Sequence, residues 1–235
     1  MSAKELVLRP IDGRTARSFI KANHYSGKAV NNSNLHIGAF WHGSLAGVMQ
    51  FGPPLDKRKL LGLVHGTGWA NMMELNRMAF GPELPRNSES RALGVAFRIL
   101  RKNAPQVKWV VSFADATQCG DGAIYRAAGF TLTGIKRSEN LARLPDGNVI
   151  HKMTLESSPT SPRRELGGMS YYDVTKGRYD FGAYIKESGA EVLPGFQLRY
   201  IRFLDPSWRE RLTVKEIPFS RIEELGARMY RGQKL

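Results

Sequence analysis

Residues 107–133 read VKWVVSFADATQCGDGAIYRAAGFTLT. Val107 to Phe113 is a nearly continuous apolar run, the pattern of a strand buried on both faces of a sheet. Asp115 follows just beyond its end. Residues 122–128 then read as a short helix stopped by Gly129, a left-handed C-terminal cap, and residues 130–133 resume as strand. Strand, crossover helix and strand in succession point to an α/β protein.

The flanking sequence extends this pattern. Residues 6–10 form a short strand stopped by Pro10 and the turn pair Asp12-Gly13, and a helix is expected over 14–21. Asn23-His24-Tyr25-Ser26-Gly27 reads as loop and Asn31 to Asn34 as pure turn composition. Two β-rich runs, 35–41 and 45–51, are joined by His42-Gly43-Ser44, a hairpin signal. Residues 55–72 are Gly-rich and basic and fit neither period. Residues 73–80 read as a strand with Arg77 inside it. From 88 to 102 the period turns helical, with Leu93, Ala96, Phe97 and Leu100 on one face and Arg91, Arg98, Arg101 and Lys102 on the other. Further strands are expected over 148–155 and 197–204. The order implies a mixed, mostly antiparallel sheet flanked by helices. Ser157 to Arg164 is a linker by composition, so the expected organisation is a catalytic domain over 1–156 and a basic, aromatic extension over 157–235.

Composition narrows the partner. The 235 residues carry 35 Lys+Arg against 21 Asp+Glu, a net charge of +14, which attracts polyanions, and nucleic acid is the leading choice over a membrane surface. Residues 1–156 hold 21 basic and 11 acidic side chains, net +10, and the remainder 14 and 10, net +4. The cluster Lys57-Arg58-Lys59, the helix face Arg98, Arg101, Lys102, and the mixed residues Tyr171, Tyr172, Lys176 and Arg178 are candidate contacts to double-stranded DNA. For the tyrosines, half-burial in a subdomain is the equal alternative. The apolar runs are too short for a membrane span, and no charged-then-apolar leader precedes the first strand, so a cytoplasmic location is expected. The single cysteine, Cys119, forms no internal disulfide and no zinc spacing occurs.

Two motifs suggest chemistry. Arg91-Ala-Leu-Gly94-Val-Ala96 fits a turn into a helix whose backbone N–H groups and dipole can hold a pyrophosphate. Tyr125-Arg-Ala-Ala-Gly129-Phe130 follows the buried strand. Together, in this order, they resemble the GNAT acyltransferase superfamily over roughly residues 1–156. The resemblance implies a GNAT-like fold, an acyl coenzyme A site at Arg91, Gly94 and Ala96, and Tyr125 as proton donor to a departing thiolate.

Adding Asn23-His24-Tyr25-Ser26-Gly27, Glu74 to Phe80, Ser90, Phe113 to Gln118 and the segment Tyr200 to Asp205 gives a narrower likeness. The chain resembles the bacteriophage Mom family, GNAT-like proteins that convert adenine in DNA to its N6-carbamoylmethyl form and so protect phage DNA from restriction. By that resemblance His24, Tyr25, Arg77, Ser90, Asp115 and Tyr125 fall on positions important to the family's activity.

Each residue has a physical role and an ordinary alternative. Asp115 is either a proton acceptor or metal ligand at a strand end, or a turn and capping aspartate. Tyr125 is an acid or stacking group, or core packing. His24 and Tyr25, in a polar loop, contact a flipped base or ligate metal, or are surface residues without a role. Arg77 implies a structural ion pair or a bound anion. Ser90 is a site residue or a helix-start serine.

The exocyclic amine of adenine is a poor nucleophile, and simple acetyl transfer would leave a carbonyl on N6 rather than a methylene. The donor therefore stays open between an acyl coenzyme A and a glycine-like molecule, with iron as a candidate metal on His24, Tyr25 and Asp115. N6 sits in the major groove and is paired, so the base must be flipped or the duplex opened. Two other functions fit: an acetyl coenzyme A-dependent N-acetyltransferase acting on protein or RNA, and a non-catalytic DNA-binding protein.

Overall fold

The computed structural model describes residues 2–230, 233 and 234; the side chains of Gln118, Cys119, Tyr230, Gln233 and Lys234 lie outside the described set. The strands are β1 (Val7–Pro10), β2 (Leu35–Trp41), β3 (Ser44–Gly52), β4 (Met72–Phe80), β5 (Trp109–Asp115), β6 (Thr131–Arg143), β7 (Val149–His151), β8 (Glu191–Phe203), β9 (Met229–Tyr230) and β10 (Gln233–Lys234). The helices are α1 (Gly13–Asn23), α2 (Lys57–Leu61), α3 (Ser88–Asn103), α4 (Ala116–Cys119), α5 (Ala123–Ala127), α6 (Lys152–Glu156), α7 (Tyr171–Thr175), α8 (Phe181–Ser188) and α9 (Ser220–Glu224). Eight strands form one sheet in the order β1-β2-β3-β4-β5-β8-β6-β7, and β9 pairs with β10. Pairing is antiparallel from β1 to β4 and between β6 and β7, and parallel between β4 and β5. The mixed, mostly antiparallel sheet expected from the sequence is present.

The chain divides into two compact units. Unit 1 comprises residues 1–113, 122–133 and 199–218, and unit 2 comprises 114–121, 134–198 and 219–235. The run Ser157 to Arg164 lies inside unit 2.

In unit 1 the β2–β3 hairpin turns on His42 and Gly43, both at positive φ, as a two-residue primed turn requires. β3 is buried along almost its whole length, and α1 packs on it through Ala16 and Ile20, which join Val48 and Ala79. α3 buries Ala92, Leu93, Ala96, Phe97 and Leu100, the apolar stripe its period announces. A second cluster gathers Leu63, Val64, Met72, Trp109, Val111, Ile201 and Trp208. In unit 2, Ala142, Leu144, Ile150, Leu155, Leu166, Tyr171 and Tyr184 form the core.

Three boundaries differ from the sequence reading. The strand expected over 148–155 ends at His151, because the His151 imidazole caps a new helix by accepting from the Met153 N–H at 3.1 Å. β6 runs on to Arg143 through exposed polar residues that carry no apolar alternation. β8 begins at Glu191, six residues ahead of the expected start at 197, and runs through Pro194, which is exposed, where its missing N–H costs little.

Gly122 opens α5 with φ +71°, and a Cβ there would lie 2.8 Å from Tyr200 Cε2 and 3.0 Å from Tyr125 Cδ2. Gly122→Ala is therefore expected to lower unfolding free energy by about 1–3 kcal/mol in urea melts, through both backbone strain and ring displacement.

Candidate active site

β4 carries polar residues into the middle of the unit 1 sheet. Its register with β3 shifts between Gln50, opposite Arg77, and Phe51, opposite Leu75, which leaves Asn76 as the extra residue of a bulge. Asn76 Oδ1 accepts from Ser33 Oγ at 2.9 Å, and its Nδ2 donates to Pro53 O at 3.3 Å. Arg77 donates from Nη1 to Asn76 O at 2.9 Å, while its Nε is buried and unpartnered among the described residues. The ion pair that would make Arg77 purely structural is not found among the described residues.

Two titratable groups answer to that guanidinium. Burial pushes the Glu74 carboxyl up to about 7, against the opposing pull of Arg77 and a hydrogen bond with Asn76. Burial, aided by the charge of Arg77, holds His24 down at about 4, so its imidazole is neutral near pH 7. His24 caps the C-terminus of α1, and its Nδ1 accepts from the Ser26 N–H at 3.2 Å and lies 2.8 Å from Ser26 Oγ. The neutral ring therefore carries its proton on Nε2. Tyr25, 53 % exposed, stands with its ring centroid 4.2 Å from that of His24. Glu74 is the residue sequence reasoning passed over. It lay within a quoted motif, but a glutamate in a strand gives no sign of its burial.

A second feature lies at the start of α3. A cavity of about 630 Å³ is lined by Lys4, Arg86, Arg91 and Arg98 together with Ser90, Gly94 and the backbone of the 85–87 turn, and no carboxylate is in its lining. Four cations and no anion suit a multiply charged anionic ligand, and the α3 dipole adds to them. The side chain of Asn87 makes no capping bond to α3. Arg91 donates to Lys4 O at 3.4 Å and keeps a buried Nε without a partner among the described residues. A Cβ on Gly94 would meet nothing within 4 Å, so the cavity floor there is bare backbone. Ala96 is fully buried in the core face of α3 and does not line the cavity, which corrects its expected ligand contact. Ser90 Oγ donates to Asn87 O at 3.2 Å.

Tyr125 rests on an aromatic group, 5.2 Å from both Phe130 and Tyr200, and Phe130 meets Phe97 at 5.5 Å. The next turn of the same segment supplies Ala127 to the cavity lining. Gly129, at φ +75°, ends the helical turn, and its carbonyl accepts from Arg202 at 2.8 Å. Asp115, in unit 2, is the last residue of β5 and the N-cap of α4, accepting from the Thr117 N–H at 3.1 Å. The structure thus brings His24, Tyr25 and Arg77 together with Glu74, and Ser90 together with Arg91 and Gly94. No group of three or more His, Cys, Asp and Glu side chains placed to share a metal occurs among the described residues. Of the three expected iron ligands, His24 and Tyr25 belong to unit 1 and Asp115 to unit 2.

The expected DNA contacts divide by burial. Tyr171 is fully buried in the unit 2 core, its hydroxyl held up at about 12 by burial, which corrects its reading as a stacking residue. Tyr172 is partly buried in the same cluster. Lys176 and Arg178 share Glu187 at 4.0 and 3.7 Å, which lowers their net charge as a patch. Arg98, Arg101 and Lys102 are exposed on α3, as are Arg58 and Lys59 on α2. No helix among the described residues is long and apolar enough to cross a membrane.

Residues 5–221 match the Mom protein family. The chain is 37% identical over 214 residues, covering 91% of itself and 81% of the relative, to the methylcarbamoylase mom of Escherichia phage Mu. Among solved structures it is similar to the ribosomal-protein-S18-alanine N-acetyltransferase of Escherichia coli, with 12% identity, a TM-score of 0.46 and coverage of 85% and 94% of the two chains. It is also similar to an IAA acetyltransferase of Bacillus cereus, with 10% identity, a TM-score of 0.43 and coverage of 84% and 99%.

Gly94 lies within α3 and lines the cavity floor. Gly94→Ala is expected to raise stability by up to about 1 kcal/mol in urea melts, because alanine favours helix and finds open space. Gly94→Glu, which sets a carboxylate among the four cations, is expected to weaken binding of inorganic pyrophosphate at least tenfold by calorimetry.

Proposed function

The chain belongs to the Mom protein family, and from that premise we propose that it is a transferase that modifies the N6 amine of adenine in double-stranded DNA. The observation that carries the reading is family likeness across nearly the whole chain, anchored by a relative named as a methylcarbamoylase. The geometry supports it with a neutral imidazole, a carboxyl poised near pH 7 and a half-satisfied guanidinium gathered on β4 and the α1–β2 loop.

The proposed division of labour follows from the charges. Glu74, whose carboxyl burial pushes up to about 7, accepts in its ionised form the proton that the adenine amine sheds as its new bond forms. Arg77 orients an acceptor atom of base or donor through its unpartnered Nε. Tyr25 presents an exposed ring for stacking on an extruded base, and His24 fixes that ring and offers its Nε2–H as a hydrogen-bond donor. The cationic cavity at α3 takes the phosphates of the donor, with Arg91 and Gly94 at its floor; because a thioester would leave its carbonyl on N6, the donor is one whose methylene already bears the carboxamide, so that the N6–CH2 bond forms as the bond from that methylene to its leaving group breaks. Tyr125 is the proposed proton source for that leaving group. Asp115 orders the turn after β5.

The transferred group is read as carbamoylmethyl. The relative's name, methylcarbamoylase, denotes an isomeric group of the same elemental composition. Mass alone therefore does not distinguish them, and fragmentation does: one isomer carries a methylene on N6, the other a carbonyl.

Nucleoside analysis of DNA from cells expressing the chain tests the reading. A modified deoxyadenosine of that composition is the expected product, and a methylene-bearing fragment identifies the carbamoylmethyl form. DNA without modified adenine, from well-expressed, folded protein, overturns it. The rate of modification should rise with pH around a midpoint near 7, falling roughly tenfold per unit below it as Glu74 takes up its proton. Glu74→Gln removes both the activity and the titration. It should also raise the melting temperature at pH 8, since a carboxyl whose folded pKa is raised costs stability as pH climbs from its unfolded value of 4.5 through about 7. Asp115→Asn, which keeps the cap and drops the charge, should retain activity if Asp115 only orders the turn, whereas loss of activity with unchanged stability would assign it a charge-dependent role.

A further inference from the structure

The connection between β3 and β4, residues 53–71, is far longer than the ~2–6 residues usual between neighbouring strands. Its inner side is firmly held. Leu63 and Val64 are buried with Trp109, Met72 and Trp208, and Trp109 Nε1 donates to Thr67 Oγ1 at 3.1 Å. Asn71 closes the far end, donating to Gln106 O at 2.9 Å and accepting from the Gly68 N–H at 2.8 Å.

The outer side is unlike the rest of the surface. Of the four tryptophans, Trp41, Trp109 and Trp208 are at most 8 % exposed, while Trp69 is 61 % exposed. Leu55, in the same connection, is 79 % exposed. The Lys57 ammonium stands 4.8 Å from the centre of the Trp69 ring. Arg58 and Lys59 are exposed on the same short helix, and Arg211 flanks the segment at Gly66. Asp56 is the one carboxylate in the 53–71 segment, and it is engaged by Lys59 at 2.7 Å.

We propose that this segment is a DNA-docking surface in which Trp69 stacks against an opened base step while Lys57 and Arg58 hold the flanking phosphates. The inference deepens the reading of the chain as an adenine-modifying enzyme and rests on it. A large exposed apolar ring with a lysine ammonium over its face and further cations on the same connection, on a loop whose root is locked, matches what an unstacked duplex offers: π faces bordered by phosphates. Lys57 occupies a face of the ring in the free protein. A phosphate can draw that ammonium off, and a base then takes its place, so one cation–π contact is exchanged for a stacked base and an ion pair. Opening a base pair costs a few kcal/mol, and a stacking residue at the vacated step offsets that cost. An anionic lipid surface is the other partner with this chemistry, and the test separates the two.

Trp69 reports on itself, because the three other indoles are shielded. The full chain is titrated with a short duplex carrying a central adenine, with the same duplex bearing a mismatch at that adenine, and with phosphatidylserine vesicles, while tryptophan emission and binding are followed. Duplex DNA should quench the emission, more strongly for the mismatch, and the quench should vanish in Trp69→Phe. Trp69→Ala should bind duplex roughly five- to a hundredfold more weakly with an unchanged melting temperature, and Trp69→Phe should recover part of that loss. Lys57→Ala should reduce the slope of log affinity against log salt by about one. Wild-type affinity in Trp69→Ala, or a response to vesicles and none to DNA, overturns the proposal. Nucleoside analysis runs beside it: modified adenine in cells expressing wild type with undiminished modification by Trp69→Ala sinks the surface but not the enzyme, whereas no modification by wild type sinks the enzyme reading and leaves the DNA titration to judge the surface.

Discussion

Glu74 and Arg77 sit on an interior strand of an eight-stranded sheet, where water that would solvate them is largely displaced. Charges in that position are tolerated when each has a counter-charge or a full set of hydrogen bonds, and here neither condition is fully met. Arg77 spends one nitrogen on the adjacent carbonyl and leaves another without an acceptor among the described residues. Glu74 has Arg77 and Asn76 within reach and is still pushed up to about 7 by burial. Much of the local architecture follows from accommodating them. The bulge at Asn76 turns a side chain toward Ser33 and Pro53, and the 32–33 loop lies so close over Gly52 that a Cβ there would stand 2.4 Å from Asn32 O.

The α3 cavity follows a different logic. The helix is ordinary on its buried side, and its outer side is where the charge accumulates. Lys4 from the N-terminal segment joins Arg86, Arg91 and Arg98 from α3 and the turn before it, and they line one space without an acidic neighbour. Such an arrangement raises the energy of the empty protein by mutual repulsion, which an anionic ligand relieves. The glycine at position 94 contributes by what it lacks, since it costs helix stability and gains only an open stretch of backbone.

Much of this was legible in advance. The apolar run 107–113, the β2–β3 hairpin and the amphipathic period of α3 each carry their own signal, and the structure places an element at each. The motif residues His24, Tyr25 and Arg77 were singled out, and they do come together. Glu74 was not, because its importance depends on what excludes water from it. Tyr171 erred in the opposite direction. A tyrosine among lysines and arginines reads equally as a stacking group or as half-buried packing, and α7 places it in the unit 2 core. The continuation of β6 beyond residue 133 and the helical end of the 148–156 segment were hidden for a related reason: polar strand residues and a histidine cap look like loop until their partners are known.

Periodicity, turn residues, net charge and the order of short motifs are properties of neighbours along the chain, so the sequence by itself determined the α/β class, the hairpin, the amphipathic helix, the basic character and the family likeness. Burial and pairing are properties of neighbours in space. Only the tertiary structure decided that Glu74 titrates near neutrality, that His24 stays neutral, that four cations share one cavity, that Tyr171 is core and that Trp69 is not. The physical reason is that desolvation and Coulomb interaction depend on three-dimensional distance and on how much water remains, and neither quantity is written in the spacing of residues along a chain.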